Sequence, residues 1–457
     1  MDNRQETIEL GTKPVGKLLV QYAIPAIIAM TASSLYNTID SIFIGQGVGP
    51  LAISGLAITF PLMNLTAAFG AAIGIGASTC LSVKFGQKDY ATATRILGNS
   101  ITLNSVVGII IGAFCLIFLS PILRFFGASD QTLPYAYDYM KVILLGNPIT
   151  QIYFGLNYVM RATGKPRHAM AATILTVVLN VVLAPLFIWV FKWGIEGAAA
   201  ATLFAQITAL VWQVHIVKNK KNVVHFTRGT YRLKADIVRN ILSVGMSPFA
   251  MNVCACVVVI FINHGMVKYG GDLAVGAYGI VNKVAFMFIM INMGLNQGMQ
   301  PIAGYNYGAQ RIDRLMRVLK LAMIASTVIL TTGFFLAMFL PEPCARLFTR
   351  DEQLIALSVH GIRIVMMMFP IVGCQMVIAN FFMSIGKAKV SMFMALSRQL
   401  LFLLPMLIVL PPMFGVNGVW AAMPAADAVS AIVAGCILMT YLKKLKKQNT
   451  LSAYEQQ

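Results

Sequence analysis

Apolar residues run along this chain in stretches of about 20, each long enough to cross a bilayer as a helix, and polar residues gather in the short gaps between them. Twelve such stretches can be traced, at roughly 18–41, 51–82, 96–120, 140–160, 169–191, 197–217, 240–267, 273–300, 318–340, 357–383, 390–412 and 417–441. Backbone polar groups in lipid must find partners within their own segment, so helix is the element expected throughout. The pattern predicts an all-α integral membrane protein with twelve transmembrane helices.

The pattern is also written twice. Leu51-Ala52-Ile53-Ser54-Gly55 returns as Leu273-Ala274-Val275-Gly276-Ala277, about 222 residues later. At nearly the same offset Phe85-Gly86-Gln87 meets Tyr307-Gly308-Ala309, Pro148 meets Pro370, and Gly194 to Gly197 meets Gly415 to Gly418. Asn157 to Met160 followed by Gly164-Lys165 meets Asn380 to Met383 followed by Gly386-Lys387. Six helices per copy is an even number, so both copies start from the same side. They are expected as parallel repeats, related by an axis along the membrane normal. The predicted division is an N-lobe at 1–217 with helices 1–6, a linker at 218–236, and a C-lobe at 237–457 with helices 7–12 and a basic tail. Two such lobes leave a central cleft, where a transporter holds its cargo, and rocking one lobe against the other gives alternating access. Spacings such as Gly70 to Gly74 let helices approach closely within a lobe.

Composition narrows the class further. Apolar residues make up 58% of the chain and charged residues 11%, which no soluble domain of this size matches. The net charge of +19 raises the question of nucleic acid, but its distribution answers it. Of 35 Lys and Arg, 26 fall on one set of alternating ends and loops and 5 on the other. That is the positive-inside asymmetry of a multi-pass protein of the cell (inner or plasma) membrane, with both termini cytoplasmic and anionic lipid headgroups beside the basic loops. The bilayer is thus the expected partner of this charge, and nucleic acid is not. No cleavable signal peptide is read before the first span. Seven cysteines are dispersed, and Cys254 and Cys256 point to different helix faces, which suits neither a metal nor a disulfide. No paired histidines, carboxylate cluster or nucleophile elbow recommends an enzyme, and no cofactor is expected.

The candidate chemistry lies in the few ionisable groups inside the spans. Asp40 closes a polar stripe on the first helix with Ser33, Tyr36 and Asn37, all on one face by their spacing. Counting from Leu18, it stands about 33 Å up a straight helix, in the outer third. It is either a coupling carboxylate or a solvated acid near the outer mouth. Thr173, Thr176 and Asn180 recur on the fifth segment and Thr202 and Gln206 on the sixth, either outlining a polar pocket with Asp40 or bonding their own helices. In the second copy Asp427 and Arg398 differ in height by only about 5 Å. They form either a structural ion pair or a second coupling site, with Lys283 a competing partner for Asp427. Met287 and Met290, among 27 methionines, suit a permissive cargo surface or ordinary packing.

Taken together, Leu35-Tyr36-Asn37-Thr38-Ile39-Asp40 with Gly45, Asn157 with Arg161, Gly164 and Pro166, Asn180 with Pro185, Gly194 to Gly197, and Ser397-Arg398-Gln399 with Pro405 resemble the multidrug and toxic compound extrusion (MATE) family, in its MepA-like branch. The resemblance covers essentially the whole chain. It implies a secondary antiporter that exports amphiphilic, organic-cation small molecules in exchange for H⁺, with Na⁺ the alternative coupling ion, acting as a monomer. It further implies that Asp40 is the coupling carboxylate with Asn180, Thr202 and Tyr139 as its polar surroundings, and that the first helix bends at Pro25; with Ser33, Tyr36, Asn37, Asn157 and Gln206 these make up the candidate N-lobe pocket. Ala184 stands where many relatives carry an acid, and 249–267 contains none, so a Na⁺ site of several carboxylates is disfavoured. Asn263 falls near the second-lobe counterpart of Asp40, which adds it to Met287 and Met290 as candidates for the cleft. The competing readings are a lipid-linked oligosaccharide flippase, for which only Lys283, Arg363 and Arg398 would meet a pyrophosphate, and a channel or receptor.

Overall fold

The structure, a computed structural model, describes residues 9–220, 222–227 and 229–454. Among them eleven helices are long and apolar enough to cross a membrane. They are α1 (Val15–Gly47), α2 (Pro50–Gly86), α3 (Tyr90–Ile117), α5 (Pro166–Val190), α6 (Gly194–Lys218), α7 (Ala235–Gly271), α8 (Leu273–Gly308), α9 (Ile312–Phe339), α10 (Glu352–Ser384), α11 (Ala388–Phe414) and α12 (Val416–Tyr454).

The remaining span, α4, was expected as one helix over 140–160 and is instead two, Leu133–Leu145 and Asn147–Ala162. The break has a local cause. Pro148 has no N–H to offer the Leu144 carbonyl, and the chain turns at Gly146, whose carbonyl accepts from Ile149 N at 3.0 Å. At the matching place in the second repeat, the 3-10 turn Met366–Met368 precedes Pro370, and α10 runs on through it.

The duplication is visible in the backbone. Left-handed residues recur in pairs at the helix junctions: Gly49 with Gly271, Lys88 with Gln310, Gly164 with Gly386, and Gly194 with Gly415. Such φ values are rare outside glycine, so their recurrence records inherited turns. Asp89 caps α3 by accepting from Thr92 N at 3.1 Å, and Asp351 caps α10 by accepting from Gln353 N at 2.9 Å.

Two compact units cut across the helices. One joins Met1–Val253 to Met293–Val318 and Met383–Ala388; the other comprises Cys254–Asn292, Leu319–Phe382 and Lys389–Gln457. The first therefore holds α1 to α6 together with parts of α7 and α8, the start of α9, the end of α10 and the first residue of α11. Its core has two clusters, one around Ile44, Leu62, Tyr139 and Ala184, the other around Leu81, Phe85, Leu97 and Val159. The second unit is built around Trp420, Met266, Ile362 and Met366. Outward faces carry exposed Ile109, Phe114, Val182, Ile260 and Val328, which lipid covers in a multi-pass protein.

Candidate functional site

α1 continues unbroken through the buried Pro25 and carries its polar stripe into the first unit. Asp40 is 4% exposed, and its Oδ1 is buried with no hydrogen-bond partner among the described residues. One turn earlier on the same face, Tyr36 Oη lies 2.9 Å from Thr202 Oγ1 of α6. Asn180 Nδ2 of α5 donates to the same hydroxyl at 2.9 Å. Thr202 has a single proton, and it goes to the Ala198 carbonyl at 3.2 Å. In the Tyr36–Thr202 bond either hydroxyl can donate, and with the Thr202 proton on Ala198 the donor is Tyr36. Tyr139, 1% exposed, is close enough to interact electrostatically with both Asp40 and Tyr36. Tyr36 and Tyr139 thus lie nearest Asp40, and Thr202 and Asn180 join the cluster through Tyr36.

Asn157 and Gln206, assigned to the same pocket from sequence, have other immediate partners. Gln206 Oε1 accepts from Thr150 Oγ1 at 2.5 Å. Asn157 Nδ2 donates to the Ala169 carbonyl at 3.0 Å and to Thr173 Oγ1 at 3.2 Å, tying α4 to α5. Thr176 Oγ1 lies 3.0 Å from the Ala172 carbonyl and 3.1 Å from Tyr153 Oη, with one proton for the two. The α5 stripe of Thr173, Thr176 and Asn180 is therefore used along its length. Ser33 is half-buried, and the side chain of Asn37 lies outside the described residues. Ala184 is fully buried in the apolar cluster with Tyr139. Among the described residues, no three His, Cys, Asp or Glu side chains come together as a metal site would need.

In the second unit Asp427 is 6% exposed and accepts from Arg398 Nε at 2.7 Å. Arg398 stands in a π-helical stretch of α11, Ser397–Leu403, where the extra residue per turn swings its side chain off the regular helix face. Lys283 does not compete for Asp427; its Nζ lies over the Phe348 ring at 5.7 Å, a cation–π distance. Asn263 and Met290 are half-buried and Met287 is 57% exposed.

Sequence reasoning passed over Thr150, Tyr153 and Gln297. Gln297 of α8 accepts from Arg161, which also donates to Asn157 and lies over the Tyr158 ring at 5.1 Å. The only advance signal was Arg161 itself, a cation set just before the end of an apolar helix.

With this geometry in hand, comparison with known proteins gives a consistent result. Multidrug export protein MepA of Staphylococcus haemolyticus strain JCSC1435 is 26% identical to this chain over 429 residues, 94% of each protein. MepA of Staphylococcus aureus strain MSSA476 is also 26% identical, over 430 residues and again 94% of each. The fold is shared with the crystal structure of a MATE in the bent conformation, with a TM-score of 0.92 at 23% identity, covering 97% of this chain and 99% of that one. It is shared also with an outward-facing MATE family transporter of the MOP superfamily, at TM-score 0.90 and 24% identity over 96% and 98%. A family model described as MatE matches twice, at residues 25–186 and 248–409, once in each repeat. A match over most of the residues and in both halves settles the family: this twelve-helix membrane chain belongs to MatE.

Proposed function

We propose that this chain exports small amphiphilic organic cations in exchange for inward H⁺, by alternating access, with Asp40 as the group that exchanges proton for cargo. Two relatives covering 94% of the chain are named multidrug export proteins, which supports the cargo class. The observation that carries the coupling is the buried, unpartnered Oδ1 of Asp40, with no basic side chain within ion-pairing distance among the described residues. A lone carboxylate in such surroundings is costly when charged, so it gains by holding either a proton or a cationic cargo. With one carboxylate at the site and Ala184 where a second would stand, H⁺ is favoured over Na⁺.

In this reading the basic ends of the helices face the cytoplasm of the cell membrane, both termini lie there, and the protein works as a monomer. It is a transporter and not an enzyme. Exchange of one H⁺ for one monovalent cation moves no net charge, so a pH difference of one unit supplies about 1.4 kcal/mol, or roughly tenfold accumulation. The test is efflux of a fluorescent organic cation from proteoliposomes under separately imposed pH and Na⁺ gradients. Wild type should respond to pH alone and Asp40→Asn to neither; efflux by Asp40→Asn that still follows pH would end the reading.

A further inference from the structure

A second polar assembly lies at the basic end of the first unit, apart from Asp40. Here the helix ends of the two repeats meet. Matched glycines do the meeting: a Cβ on Gly86 would collide with the Tyr305 carbonyl, and one on Gly308 with the Val83 carbonyl. The neighbouring crossings follow the same exchange of partners. Gly76 of α2 rests on the Ile241 backbone of α7, while Gly298 of α8, its counterpart, rests on Ala23 of α1. Gly294 abuts Ile27, so the α1 segment around Pro25 lies directly against α8. Arg311 and Arg314 of the α8–α9 corner donate to the carbonyls of Gly11, Leu10 and Lys13, strapping the start of the chain to the same corner.

Across these close backbones run three side-chain bonds. Gln300 Nε2 of α8 donates to Thr79 Oγ1 of α2 at 2.7 Å. Arg161 of α4 donates to Gln297 of α8, whose Nε2 reaches Met30 Sδ of α1 at 3.4 Å. The guanidinium has no carboxylate within ion-pairing distance among the described residues. It stays charged, and its partners are Asn157, Gln297 and the Tyr158 ring. Asn157 is held in turn by Thr173. Such a cation loses half its side-chain bonds if α8 moves away, so the bond to Gln297 favours the closed arrangement. Beside the crossings, walled by Thr79, Cys80 and Lys84 of one repeat and Asn240, Ser243 and Ile385 of the other, lies a cavity of about 250 Å³.

We propose that Arg161 is a positioning residue: its bond to Gln297 pins the glycine crossings shut, and cargo enters from the cytoplasm when that pin releases and the cavity at Cys80 widens. This rests on the alternating-access reading, but its test needs neither cargo nor gradient. Cys80 is kept as the sole cysteine, and its alkylation by a water-soluble maleimide is timed from the cytoplasmic face of inverted vesicles. Arg161→Ala and Gln297→Ala should each speed labelling about tenfold, the loss expected for one charged hydrogen bond. The double variant should be no faster than either single one. Gln297→Glu gives the guanidinium a carboxylate and should slow labelling below wild type; it also keeps the test open if Arg161→Ala fails to reach the membrane. Unchanged rates, effects that multiply in the double variant, or faster labelling in Gln297→Glu would overturn the pin. A normal labelling pattern with no pH-driven efflux would instead remove the proposed function and leave the gate.

Discussion

Asp40 and Asp427 are buried to the same degree, at 4% and 6% exposure, one in each repeat of a duplicated fold, yet their electrostatic circumstances are opposite. Asp427 has an arginine at 2.7 Å. Asp40 has the hydroxyls of Tyr36 and Tyr139 nearby, and one of its oxygens has no hydrogen-bond partner among the described residues. The backbone turns recur in pairs, down to the left-handed Lys88 and Gln310, but the two carboxylates do not: Asn263 falls near the counterpart of Asp40, and Asp427 lies on α12, the counterpart of α6. Burial alone therefore says little about the work a charge does. What separates a structural carboxylate from a coupling one is whether its countercharge is built in or must arrive from outside.

Substitutions at the two positions should separate accordingly. The largest effect is expected on transport: Asp40→Asn should abolish pH-driven efflux, while Asp427→Asn keeps it, both measured in the same vesicles. Stability should show the reverse order. Asp427→Asn strands the Arg398 guanidinium, whose side chain is 33% exposed. The loss should fall between the 0–1 kcal/mol typical of surface pairs and the roughly 3–5 kcal/mol of fully buried ones. It would be read as a lowered Tm in detergent, with Arg398→Met added to Asp427→Asn restoring much of it. Asp40→Asn removes no countercharge and should leave Tm at or above wild type.

Thr202→Val sharpens the comparison from the side of the surroundings. It keeps the shape but deprives Tyr36 and Asn180 of their common acceptor. Leaving buried donors unpaired costs about 1–3 kcal/mol, so Tm should fall while the Arg398–Asp427 pair is untouched. The smallest effect belongs to a carboxylate outside the membrane. Bonds from Thr92, and then the nearby Lys84, hold the Asp89 carboxyl below its ordinary range. A lowered pKa means that the cap stabilises above the unfolded value and is lost as pH falls through the folded one. Asp89→Asn should therefore cost no more than about 1 kcal/mol near neutral pH, and the difference from wild type should vanish in acid.

Much of this was legible before any coordinates. The repeat is carried by strings such as Phe85-Gly86-Gln87 and Tyr307-Gly308-Ala309, and the membrane class by apolar runs that physics reads in only one way. The heights of Arg398 and Asp427 follow from residue counting on straight helices, which works because both lie well inside long spans. The break in α4 was missed because hydropathy is blind to a lost N–H, although Pro148 was in plain view. Lys283 looked available to Asp427 because a charge count ignores aromatic faces; Phe348 occupies it instead. The link between Arg161 and Gln297 joins residues far apart in sequence and different in chemistry. No periodicity brings them together, and only the packing of α4 against α8 does.

The most direct test of the central claim counts protons. Purified protein in weakly buffered detergent, mixed with a monovalent organic cation near neutral pH, should release up to one proton per cation bound. Asp427→Asn should do the same, and Asp40→Asn should bind without releasing any. Release that persists in Asp40→Asn, or disappears in Asp427→Asn, would contradict the assignment of the exchange to Asp40.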